Sequence, residues 1–97
     1  MTTFADPTAT APVADACPRE RITVEGVVSS LLVRPLADVP TIEVRVSDAT
    51  GTLPAVFLGR RTIPGIRLGT RLALTGMVSA RGRHLAMVNP EYELLAD

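Results

Sequence analysis

From residue 21 to residue 90 the chain alternates apolar and polar positions in short runs, broken by Gly, Pro and Asp. Period two of this kind predicts β-strands with one buried face. The first run, 21–35, sets Ile22, Val24, Gly26 and Val28 on one face and Arg21, Thr23 and Glu25 on the other. Alternation fails at Val27 and Val28. A Gly inside such a run, with a change of parity, predicts a bend or bulge where one long strand serves both halves of a barrel. Residues 34–40, which hold Pro35 and Pro40, read as a connecting loop. Residues 41–47 form the cleanest strand, with Ile42, Val44 and Val46 inward and Thr41, Glu43, Arg45 and Ser47 outward. Asp48-Ala49-Thr50-Gly51 follows: Asp bonds its own backbone two residues on, and Gly accepts a positive φ, so the chain folds straight back.

The returning strand, 53–58, is apolar on both faces. Phe57 shares parity with Leu53 and Ala55, which places it in the core and turns Val56 and Leu58 outward. Residues 59–70 carry Gly59, Pro64, Gly65 and Gly69 and leave room for at most a turn or two of helix around 60–63. A fourth strand spans 71–80, with Leu72 and Leu74 inward and Gly76 at a bend. Gly82 centres a short turn, and a fifth strand over 84–90 ends at Pro90, which cannot donate to a ladder. Five strands in meander order, with a connector between the third and fourth, predict an all-β, five-stranded Greek-key barrel of the OB type with little or no helix. An SH3-like barrel is the structural competitor.

Composition narrows the classes. The chain has 97 residues, which suits one domain. Its first twenty residues contain five Ala, four Thr and three Pro without a hydrophobic period, so residues 1–20 read as a disordered leader and 21–97 as the folded domain. No secretory pattern and no apolar run of membrane-spanning length occurs, which predicts a cytoplasmic location without membrane association. The single cysteine, Cys17, excludes an intrachain disulfide. All ten basic residues are Arg, and residues 21–97 hold nine of them against seven acidic residues, a balance of +2. With one His and no nucleophile motif, neither a metal site nor a catalytic triad is expected, and no cofactor or enzymatic activity is implied. Glu91 and Glu93 read as a solvated end, and Tyr92 as packing back over the barrel.

VEGVVSS, VRVSDATGTLPAVFLG and GIRLGTRLALTGMVSARGRHLAMVNPEYELL together resemble OB-fold nucleic-acid-binding domains of the tRNA-anticodon/helicase type, and among these the wedge domain of RecG-type helicases and small stand-alone bacterial relatives. The likeness spans residues 22–95, and Met87-Val88-Asn89-Pro90-Glu91-Tyr92 is its most distinctive piece. It implies a nucleic-acid partner, single-stranded or branched DNA or RNA. The chain has no phosphate-binding loop and no room for a motor. OB barrels bind nucleic acid on strands two and three and the flanking loops. That rule nominates Arg34, Arg45, Arg60, Arg61, Arg81, Arg83 and His84, with Val56 and Leu58 on the outer face. Arg can fork a phosphate and stack on a base, though Arg45 can also pair with Glu43. With only Phe57 and Tyr92 as aromatics in the domain, the alternative is a protein-interaction or scaffold barrel without a nucleic-acid ligand.

Overall fold

The computed structural model describes residues 10–95, with Leu36 and Arg81 described in the main chain only. After a 3-10 turn at Val13–Asp15 come six strands: β1 (Arg21–Leu36), β2 (Val39–Asp48), β3 (Gly51–Leu58), β4 (Arg71–Arg81), β5 (His84–Val88) and β6 (Glu91–Leu94). The long β1 is what allows a closed sheet. Its first half pairs antiparallel with β4, from Arg21 opposite Met77 to Val27 opposite Arg71. Its second half pairs with β2, from Val27 opposite Ser47 to Leu36 opposite Val39. At the change of partner, a Cβ on Gly26 would sit 2.5 Å from the Ser47 carbonyl oxygen and 2.8 Å from Val46 Cγ1. Only glycine permits that approach. The register then skips at Ser29, the bulge that the broken alternation predicts, and the Ser29 hydroxyl meets the Ser47 hydroxyl at 2.9 Å.

β3 and β5 pair in parallel through Ala55 opposite Met87 and Val56 opposite Val88. This closes the ring β1-β2-β3-β5-β4-β1. The strands therefore follow the OB-fold order rather than a simple meander. β5 and β6 lie end to end along β4, on Val78–Arg81 and Leu72–Thr75 respectively. β5 ends at Val88, ahead of Asn89 at φ 50° and Pro90, and the ladder resumes beyond them, so Glu91 and Glu93 belong to a strand rather than a loose end. Val24, Val28, Val44, Val46, Leu53, Leu72, Leu74, Val78 and Met87 are fully buried, and Ile42 and Phe57 nearly so. Ile63, from the 59–70 connector, joins this core with Ile66 packed beside it. That connector is built of turns without helix.

Two segments depart from the sequence reading. Residues 34–40 are not a loop, because β1 and β2 run on as a hairpin arm to a two-residue turn. Ala37 and Asp38 have φ of 51° and 65°, the paired left-handed conformation of a type I′ turn, whose twist suits a hairpin. Pro35 faces Pro40 across the arm. The Pro40 carbonyl accepts from Gly59 N–H at 2.6 Å, so this is a non-hydrogen-bonded pair, and neither proline withholds a donor from the β1–β2 ladder.

The stretch read as a leader makes contacts with the barrel from residue 10 onward, residues 1–9 lying outside the described residues. Ala11 N–H donates to Thr23 O at 2.8 Å, Arg19 N–H to Val78 O at 2.7 Å, and Val78 N–H to Glu20 O at 2.9 Å. Val13 joins the core cluster. Main-chain hydrogen bonds need no apolar period, so composition alone gave no sign of these contacts.

Candidate nucleic-acid interface

The turn between β2 and β3 secures one end of the outer face. Asp48 Oδ1 accepts from Thr50 N–H at 2.7 Å, Thr50 Oγ1 at 2.6 Å and Gly51 N–H at 3.1 Å. Oδ2 accepts from Val13 N–H at 2.9 Å, while Thr50 Oγ1 accepts from Ala14 N–H at 3.0 Å. These bonds, led by the Thr50 hydroxyl and followed by the Val13 amide, lower the Asp48 pKa from 3.8 to about 2. Asp48 does what the sequence predicts and also ties down the N-terminal segment. Gly51 does not, because its φ is not positive and a Cβ there would meet Val13 Cγ1 at an ordinary 3.5 Å.

Between that turn and the arm lies a groove of about 650 Å³ on the outer face of β2 and β3. Its lining includes Thr41, Glu43 and Arg45 of β2 and Thr52, Pro54 and Val56 of β3. Arg34 comes from β1, Arg83 from the β4–β5 turn, His84 from the start of β5, and Val13, Ala14 and Ala16 from the N-terminal segment. The register explains the floor, since Glu43 pairs with Val56 and Arg45 with Pro54, and paired residues share a face.

At the centre is Glu43, on a face that the alternation assigns to solvent, yet its side chain is only 11% exposed. Its Oε1 accepts from Arg34 NH2 at 3.1 Å and its Oε2 from Arg45 Nε at 2.8 Å. Both arginine side chains remain more than half exposed. A nearly buried carboxylate needs such partners, and each Arg keeps donors to spare. Among the described residues, Arg83 and His84 have no ion pair.

Of the nominated residues, Arg34, Arg45, Val56, Arg83 and His84 line the groove, while Leu58, Arg60 and Arg61 do not. The Arg81 side chain lies outside what is described. Val56 faces outward as its parity requires but is buried, at 8% exposure, with Glu43 opposite it on β2. Leu58 is exposed at the end of β3, where its N–H donates to Asn89 Oδ1 at 2.9 Å. Phe57 lies in the core, edge-on to Tyr92 with ring centroids 6.0 Å apart. The Tyr92 hydroxyl donates to Pro64 O at 3.4 Å. No aromatic side chain is among the described groove residues except the imidazole of His84.

Sequence reasoning missed Glu43 as a site residue and missed the N-terminal wall entirely. The signal for Glu43 was its shared parity with Arg45, two residues on. For the wall, Val13 was the one sizeable apolar residue in its stretch of small and polar side chains, too little to announce a docked segment.

No model of a known protein family matches this chain, and no curated protein matches it in sequence. Among solved structures it is similar to a crystal structure of a HINb domain, with a TM-score of 0.71 at 16% identity over 98% of this chain. It spans 58% of that chain's length. At this identity the likeness establishes the fold, a five-stranded OB barrel. No helix among the described residues is long and apolar enough to cross a membrane.

Proposed function

We propose that the protein is a cytoplasmic, non-catalytic OB-fold module that binds single-stranded or structured nucleic acid weakly and mainly through phosphate. The observation that carries this reading is the convergence of Arg34, Arg45, Arg83 and His84 on one groove across β2 and β3. That is the face on which OB barrels hold oligonucleotides. Stacking on aromatic side chains supplies about 1–3 kcal/mol per base in strong single-strand binders. With Phe57 in the core and Tyr92 packed against it, that term is small here, and charge carries the binding. The sequence resemblance to helicase wedge domains points the same way, as a contact surface at a strand junction whose motor would be supplied by another protein.

Fluorescence anisotropy with a labelled single-stranded oligonucleotide at two salt concentrations tests the proposal. Each phosphate contact on a single strand lowers the log–log salt slope by about 0.7, so three arginines set a limit of about −2 on the slope. An absence of binding even at low salt overturns it.

A second reading has its own support in the hairpin arm. Leu32, Val33 and Val39 are 42%, 55% and 41% exposed there, an apolar tip suited to a protein partner. Val33→Asp should abolish such an association and leave oligonucleotide binding unchanged.

A further inference from the structure

We infer that Glu43 is a built-in limit on the affinity of the groove for polyanions, an inference that rests on the nucleic-acid reading of the site. The carboxylate stands on the groove floor with one oxygen on Arg34 and the other on Arg45. It cancels one of the two positive charges that a phosphate would meet on this side. Because its side chain is nearly out of water, its field is poorly screened by solvent ions. A phosphate held by the outer donors of either guanidinium therefore lies within a few ångströms of a fixed negative charge.

Glu43 also acts in the opposite direction, since it holds two long side chains over the groove that would otherwise sample many rotamers. The two effects separate by chemistry. Glu43→Gln keeps the volume and one acceptor oxygen for a guanidinium while removing the charge. Glu43→Thr removes both charge and acceptor reach, and its β-branched side chain suits a strand beside Thr41. If charge cancellation dominates, Glu43→Gln tightens binding. If positioning dominates, it weakens binding.

Dominance of charge is the expected outcome for two reasons. Arg34 and Arg45 are more than half exposed even when paired, so the carboxylate fixes only one donor of each fork and leaves the outer donors free to follow the ligand. Repulsion between a carboxylate and a phosphate at such range, by contrast, needs no particular side-chain geometry.

The test titrates a fluorescein-labelled single-stranded oligonucleotide into the native chain, Glu43→Gln and Glu43→Thr, each first checked for a cooperative melt. The expected result is that Glu43→Gln binds at least about threefold more tightly than the native chain at low salt, with a salt slope steeper by up to about 0.7 for each added phosphate contact. Equal or weaker binding by a folded Glu43→Gln overturns the inference and leaves the nucleic-acid reading intact. If Glu43→Gln does not fold, Glu43→Thr decides by the same criterion. A native chain that fails to bind even at low salt overturns the nucleic-acid reading, and the inference with it, whatever the variants do. Failure of all folded chains to bind overturns both readings together.

Discussion

The groove has two flanks that achieve order by different means. On one side the N-terminal segment is laid onto the β2–β3 turn, with Val13 in the core and its amide on Asp48. On the other, the hairpin arm continues β1 and β2 past the barrel on a single shared ladder, turning through two left-handed residues. The first flank is held by contacts between parts of the chain far apart in sequence. The second is held by neighbours, and its tip by little else. A ligand in the groove thus lies between a fixed wall and one with fewer supports, and local stability should follow that difference.

The largest effect should come from the fixed wall. Val13→Ala removes two buried carbons and should cost about 1–3 kcal/mol of global stability in a denaturant melt. If the wall is held by the amide bonds alone, Val13→Ala will leave the midpoint unchanged, and the contrast between flanks weakens.

Acid should act on the same wall. The folded pKa of Asp48 lies below its ordinary value, so its contribution is fully present above pH 3.8 and is lost as the pH falls toward about 2. Melting temperatures of the native chain should show this loss over that window, and Asp48→Asn should lack this component. Identical acid profiles for the two would detach Asp48 from the stability of the turn.

The arm should respond in the opposite sense. Ala37 at φ 51° adopts a conformation that costs an alanine about 1–2 kcal/mol and an asparagine less. Ala37→Asn should therefore stabilise the arm by about 0.5–1 kcal/mol, seen as slower hydrogen exchange at residues 33–42. Unchanged exchange would mean that the tip is not the weak point of this flank.

The smallest effect is expected at Gly51, whose Cβ position is open and whose φ is unexceptional. Gly51→Ala should change stability by less than about 1 kcal/mol, in the stabilising direction if the unfolded chain loses more freedom than the folded one. A large loss would show that the turn needs glycine after all.

The same contrast explains what could be read from the residues. Ile42, Val44, Val46, Leu53 and Phe57 announced their strands because each buries one face, and Gly26 with the broken alternation announced the bend. The two flanks carried no such pattern. The arm was hidden because Ala37 is a poor advertisement for a left-handed turn, and because two prolines ordinarily argue against a ladder. The N-terminal wall was hidden because it is held by backbone amides and one valine. At the site, Arg45 and its option of pairing with Glu43 were legible. That Arg34 would reach the same carboxylate depends on the arm being a hairpin, so the three-residue cluster was beyond a reading that made residues 34–40 a loop. The parallel pairing of β3 with β5 leaves no local trace in the residues, and entered through fold class alone.

Beyond the bulge, β1 pairs with β2 on one side only among the described residues, which leaves an open edge flanked by exposed Leu32 and Val33. Such an edge invites a strand from another molecule. The pairing of Pro35 with Pro40 turns the Pro35 nitrogen toward that edge, where an incoming strand would need a hydrogen-bond donor and meets none. Pro35, seated where its missing N–H costs the hairpin nothing, therefore shortens the ladder that a foreign strand could form along this edge.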